Sequence, residues 1–159
     1  MLGSLARKLR LYGMDVLYAA HAQDLYLLTE AVSKGRILLT ADNQLHEQAT
    51  RRGARSILLT ENTDQDRLVS LFRVLGVKPS AIAPGSSRCP SCNGQLVRTS
   101  RLKIHDRLPS RVSRRHRTFY RCVSCGKLFW EGSHWRRISL MSKYVTRKLA
   151  EGKAKMDGL

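Results

Sequence analysis

The chain has 159 residues and carries 29 Lys/Arg against 12 Asp/Glu, a formal charge of +17. That length suits one ordinary domain, or a small domain with an appended module. No apolar run approaches the roughly 18 residues that a membrane-spanning helix needs, and the charged start Met1-Leu-Gly-Ser-Leu-Ala-Arg-Lys8 reads as the first turns of a folded helix rather than as a signal peptide.

Residues 2–12 place Leu2, Leu5, Ala6, Leu9 and Tyr12 at helical spacing, with Gly13 as the stop. Asp15-Val-Leu-Tyr18 reads as a short strand. Asp24 opens a second helix, with Leu25, Leu28, Ala31 and Val32 inward and Gly35 at its end. Ile37-Leu-Leu-Thr40 is a buried-strand run. Asp42 then begins a helix to about Arg51, and Ser56-Ile-Leu-Leu-Thr60 is a further strand. Thr63-Asp-Gln-Asp66 resembles a capping box before a helix holding Leu68, Leu71, Phe72 and Leu75. Strands alternating with helices at this rhythm predict a parallel α/β sheet, which puts its ligand site beyond the carboxyl ends of its strands.

The spacing predicts four segments: an α/β domain over residues 1–77, a linker at 78–87, a cysteine-bearing module at 88–135 and a basic helical tail at 136–159. Charge is divided unevenly among them. Residues 1–87 hold 11 Lys/Arg against 8 Asp/Glu, whereas residues 88–159 hold 18 against 4. Basic charge concentrated in one module implies a polyanion partner. Arginine dominance favours phosphate, because the guanidinium fork matches its oxygens. A membrane surface fits less well, since this half lacks an amphipathic helix with bulky apolar anchors.

Cys89-Pro-Ser-Cys92 and Cys122-Val-Ser-Cys125 each put two thiolates on one tight turn, and two such turns complete a closed four-cysteine zinc site. Four thiolates leave no open position for substrate, so the Zn²⁺ is expected to be structural. Thiolates that hold zinc imply a reducing compartment, the cytoplasm or an organelle matrix. Between the pairs lies Arg98–Arg117, a polar insertion with eight Lys/Arg. Arg111, Arg114, Arg115, Arg117 and Arg121, with Arg136 and Arg137 beyond the module, are the candidate RNA contacts. Phe119 and Tyr120 are interleaved with them, available for base stacking or for the module's core. Trp130 and Trp135 are expected in the core, His134 as a loop buttress, and the tail solvated or docked on RNA.

Two carboxylates stand where chemistry could occur. Asp42 follows the strand Ile37–Thr40, and Asp24 begins the helix feeding that strand. Converging carboxylates near a phosphodiester hold Mg²⁺ or Mn²⁺, while the plainer role of such an Asp is a helix N-cap. Glu61, Asp64 and Asp66 have capping of the next helix as their simplest role.

Met1-Leu-Gly-Ser-Leu-Ala-Arg-Lys-Leu-Arg-Leu-Tyr-Gly13, Gly35-Arg-Ile-Leu-Leu-Thr-Ala-Asp42, the two cysteine pairs and Gly132-Ser-His-Trp135 occur in order. Together they resemble the Mut7-C RNase family, which joins a PIN-like nuclease domain to a zinc ribbon. The resemblance covers about residues 1–140. It implies a PIN-like fold, a metal-dependent ribonuclease activity, and Asp24 and Asp42 as catalytic acids. It also implies a strand ending in Asp immediately before the Met-Leu-Gly segment, and the sequence starts at Met1. Two functions follow as expectations. One is an RNA endonuclease using Mg²⁺ or Mn²⁺. The other is a non-catalytic RNA-binding protein on a degenerate nuclease fold, such as a ribosome-associated or other ribonucleoprotein component bound to rRNA.

Overall fold

The computed structural model describes residues 2–154, with side chains to residue 151; Met1 and residues 155–159, the end of the predicted tail, lie outside it. The chain separates into two compact units, Met1–Leu5 with Tyr18–Val77, and Ala6–Leu17 with Lys78–Leu159. The division runs through the first helix, α1 (Gly3–Leu11).

In the first unit the elements run α2 (Asp24–Ser33), β1 (Leu38–Thr40), α3 (Asn43–Arg51), β2 (Ser56–Leu58) and α4 (Asp64–Val74). The two strands pair in parallel, Leu38 opposite Ser56 and Thr40 opposite Leu58. Leu28 and Ala31 of α2, Leu38 of β1, Leu45 and Ala49 of α3, and Ala54 form one buried cluster, with Leu27 against it. Apolar burial of this kind contributes about 25 cal/mol per Å². Leu68, Val69, Leu71 and Phe72 of α4 are buried as well.

Two expectations in this region are corrected. Asp15–Tyr18 lies between α1 and α2 but forms no strand. Its backbone groups have side-chain partners instead: the Val16 carbonyl accepts from the Arg10 guanidinium, and the Val16 amide donates to Asn93 Oδ1 at 3.1 Å. Satisfied in this way, the segment has no need of a β ladder. On α2, Leu28 and Ala31 are buried as expected, but Leu25 is 59% and Val32 50% exposed. Both lie to one side of Leu28 on the helical wheel, while Leu27 and Ala31 lie to the other. The helix packs on α3 and β1 with that second side only.

The second unit contains an antiparallel sheet in the order β3–β4–β5, from Leu96–Thr99, Phe119–Cys122 and Leu128–Phe129. Leu96 faces Cys122, Thr99 faces Phe119, and Tyr120 faces Phe129. The expected polar insertion between the cysteine pairs is folded. It forms a 3₁₀ helix, Arg101–Arg107, and a short helix α5, Ser110–Arg115. Its few apolar residues decide this: Ile104 and Leu108 bury against Phe119, with Val112, Leu128 and Trp130 packed around them. The tail is helical and begins earlier than expected, as α6 (Ser133–Ala154). Met141, Ser142 and Val145 are buried, and Ser142 lies beside Tyr12, so this helix is docked rather than solvated.

The architecture is thus mixed α/β, a small parallel sheet with helices followed by a four-cysteine cluster, as the element rhythm and the cysteine spacing predict.

Candidate metal centre and nucleic-acid interface

Each cysteine pair sits on a tight knuckle of the same construction. In the first, Asn93 N donates to Cys89 O at 2.8 Å and Cys89 N to Gly94 O at 2.8 Å. In the second, Gly126 N donates to Cys122 O at 3.0 Å and Cys122 N to Lys127 O at 2.9 Å. Both turns close through a left-handed residue, Asn93 at φ 70° and Gly126 at φ 71°. That is why each pair is followed by a residue tolerant of that conformation.

The two knuckles bring all four Sγ atoms within 4.8 Å of one another. Cys89 Sγ lies 3.7 Å from Cys125 Sγ, and Cys92 Sγ 3.4 Å from Cys122 Sγ. An ion bonded to four sulfurs at about 2.3 Å holds them about 3.8 Å apart, so the thiols already approximate a tetrahedral shell. A disulfide would need about 2.05 Å. The cluster can therefore bind a metal ion such as zinc.

The surroundings act on the thiols in opposite directions. Burial pushes the Cys89 thiol up to about 12. Burial also works against Cys122, but hydrogen bonds from the Cys125 amide, the Cys92 thiol and the Ser124 amide prevail and bring it down to about 6. Gly94 approaches the cluster so closely that a Cβ there would lie 2.9 Å from Cys122 Sγ and collide with Ser124. Lys127 Nζ donates to Ser91 Oγ at 3.0 Å, tying one knuckle to the other.

The last turn of α1 supports the first knuckle, a role the sequence did not suggest. Arg10 is only 6% exposed. Its Nη1 donates to Pro90 O at 2.9 Å, and its Nε and Nη2 donate to Val16 O at 3.1 and 2.9 Å. Burial lowers the Arg10 pKa, while the Cys89 and Cys92 thiolates act in the opposite direction. A guanidinium beside a dianionic metal–thiolate centre offsets part of its charge. Asn93 Nδ2 donates to Asp15 Oδ1 at 2.6 Å and Arg88 N to Arg10 O at 2.8 Å, completing the seam. The only sequence signal for this was an arginine on the last turn of an otherwise amphipathic helix.

Around the centre, the predicted phosphate contacts are all exposed. Arg111, Arg114 and Arg115 lie on α5, Arg117 follows it, Arg121 is on β4, and Arg136 and Arg137 are in the first turns of α6. Phe119 is fully buried, and Tyr120 packs against the cysteine cluster, so both candidate stacking rings serve the core. Trp130 packs in the core as expected, and Trp135 is half-buried. His134 is exposed on the first turn of α6.

In the first unit Asp42 is the N-cap of α3, its Oδ1 accepting from Gln44 N at 2.7 Å and Leu45 N at 3.1 Å. Asp24 is exposed on the first turn of α2. Thr63 and Asp66 form the reciprocal cap of α4, and Asp64 pairs with Arg67 at 3.5 Å. Among the described residues, the four cysteines are the one group of three or more His, Cys, Asp or Glu placed to share a metal ion.

Among the described residues no helix is long and apolar enough to cross a membrane. No solved structure matches the chain. The family model for the Mut7-C RNAse domain matches residues 1–142, a span that includes both units and ends inside α6. The knuckles, the sheet edge bearing Asp42 and the helix supporting the cysteines all fall within that match, and the chain belongs to the Mut7-C RNAse domain family.

Proposed function

We propose that this protein is a metal-dependent RNA endonuclease in which a Zn²⁺-bearing, cationic second unit holds RNA for a first unit carrying Asp24 and Asp42. The observation that carries this reading is the family match across both units, joined to the concentration of charge around the cysteines. Residues 88–130 hold eleven Lys/Arg and a single acid, Asp106.

Zn²⁺ has a structural task here, since four thiolates close its shell. It would hold the two knuckles in register and, through them, β3 to β5. Mg²⁺ or Mn²⁺ is a separate requirement. Such ions are bound by one or two carboxylates together with substrate phosphates and water. Asp24, and the Asp42 oxygen that does not cap α3, are carboxylate oxygens of that kind. Bound there, the ion would supply charge neutralisation at the phosphodiester. The residues of this chain would orient it and hold the strand.

A second reading has a specific observation in its favour. The carboxylates among the described residues form no group of three, and Asp42 is already engaged as a cap. A non-catalytic RNA-binding protein, ribosome-associated or otherwise part of a ribonucleoprotein, would need only the second unit's charge.

Cleavage of a labelled structured RNA with added Mn²⁺ or Mg²⁺ separates the two. Asp42→Asn is the informative variant, because Asn caps a helix as well as Asp does and so removes charge without removing the cap. Endonuclease function predicts that this variant retains its thermal stability and loses cleavage. Intact RNA that the wild-type protein nevertheless binds would establish the binding function instead. Chelation alone is a poor control, since it also removes zinc.

A further inference from the structure

We infer that a cleft between the sheet of the second unit and its 3₁₀ helix is a phosphodiester-binding site for single-stranded RNA. This deepens the proposed RNA function and rests on it. The cleft, about 410 Å³, is lined by Val97, Arg98 and Thr99 of β3, Lys103, Ile104 and Arg107 of the 3₁₀ helix, Arg121 of β4, and Ser100. That volume is in the lower part of the roughly 300–1,000 Å³ range of small-ligand sites.

Lys103, Arg107 and Arg121 bring three cations to one concavity and no acid lines it, while Arg98, paired with Tyr120, projects from the sheet face opposite Val97 and Arg121. Lys103 and Arg121 are exposed, and their side chains make no hydrogen bond or ion pair among the described residues. Like charges held this close repel one another at a cost that an anionic ligand removes. Arg107 differs from the other two, since its Nη2 donates to Gly126 O at 2.9 Å. That bond fastens one wall of the cleft to the second cysteine knuckle. Ile104 and Arg107 are three residues apart and stack on one side of a 3₁₀ helix. Buried Ile104 and half-exposed Val97 therefore give the cleft an apolar floor beneath its charged rim.

The chemistry suited to this arrangement is a phosphate with an apolar ring face beside it. Guanidinium groups take the phosphate oxygens, and Val97 with Ile104 covers the flat side of a base or ribose. A duplex presents its phosphates on a convex outer surface and keeps its bases stacked inside, so an extruded or unpaired nucleotide is the form that enters. The seven arginines named from sequence include only Arg121 of this set. Lys103 is distant from it in the chain, and only the β3–β4 pairing and the fold of the insertion bring the two together.

The test is fluorescence anisotropy of a labelled oligouridylate with the zinc-loaded full chain across a salt series. Lys103→Gln/Arg121→Gln is compared with Lys34→Gln/Arg51→Gln, which removes the same charge from α3 and the end of α2. Unchanged zinc content and circular dichroism establish that both variants are folded. The cleft variant is expected to bind about tenfold more weakly, with a log–log salt slope shallower by about 1.4, while the control matches wild type. If wild type binds and the cleft variant binds equally well, the cleft is overturned and RNA binding stands. If wild type binds no RNA, both fail together. An equal loss on a duplex of mixed sequence would overturn the single-strand assignment.

Discussion

Arg10 and Gly94 bear directly on the four-cysteine cluster, one through its guanidinium and the other through its lack of a side chain. Removing the Arg10 guanidinium leaves the Val16 and Pro90 carbonyls without their donors. Arg10→Met is expected to cost about 2–3 kcal/mol in urea denaturation, the scale of orphaned buried acceptors. It should also weaken zinc binding by about tenfold in chelator competition, as loss of an outer support does. An unchanged zinc affinity would limit Arg10 to a packing role. Gly94→Ala acts differently, driving a methyl group toward Cys122 Sγ and Ser124. Its expected signature is weaker zinc binding with the secondary structure of α2 to α4 unchanged. On the other unit, Asp42→Ala should cost about 1 kcal/mol in thermal unfolding through loss of the α3 cap, a cost that Asp42→Asn should avoid.

Within the second unit the strands are short, β5 having two residues, so their pairing depends on what anchors their ends. Cys122 closes β4, and the first knuckle stands just before β3, which places both anchors at the four-cysteine cluster. Zinc removal by a mercurial and chelator is therefore expected to accelerate amide hydrogen exchange in β3 to β5. The amides of α2 to α4 should keep their protection, because their cluster of Leu28, Leu38, Leu45 and Ala49 contains no metal ligand. Equal loss in both units would show that zinc supports the whole chain. The 3₁₀ helix should loosen with the strands, since Arg107 is fastened to the second knuckle. RNA affinity should fall with it.

Over the whole molecule the charge is the dominant property, +17 in total and mostly beyond residue 87. Binding through such charge releases condensed cations, and the logarithm of the affinity falls by about 0.7 per contact for each unit of log salt on single strands. If each of the seven predicted arginines meets one phosphate, the slope is about −5. Anisotropy titration across a salt series measures it directly. A nearly flat dependence would place the affinity in stacking or hydrogen bonding rather than in charge.

The sequence by itself determined the features that local chemistry dictates. C-x-x-C twice, each before a residue tolerant of left-handed backbone, specifies two knuckles whatever surrounds them. Apolar spacing specified α1 to α4, and the Asp42 and Thr63 caps marked the starts of α3 and α4, because these depend on residues within one helical turn. Side-chain partners distant in sequence were decided only by the tertiary structure. Asp15–Tyr18 has the composition of a strand, yet Arg10 and Asn93 satisfy Val16 before any ladder can. The insertion looked polar because Leu102, Ile104, Leu108 and Val112 carry little weight among eight cations in a window. Three of them, Ile104, Leu108 and Val112, were enough to fold it once Phe119 stood opposite. The convergence of Lys103, Arg107 and Arg121 belongs to the same class. Charge can be counted along the chain, but a cleft exists only after strands pair and a helix turns back over them.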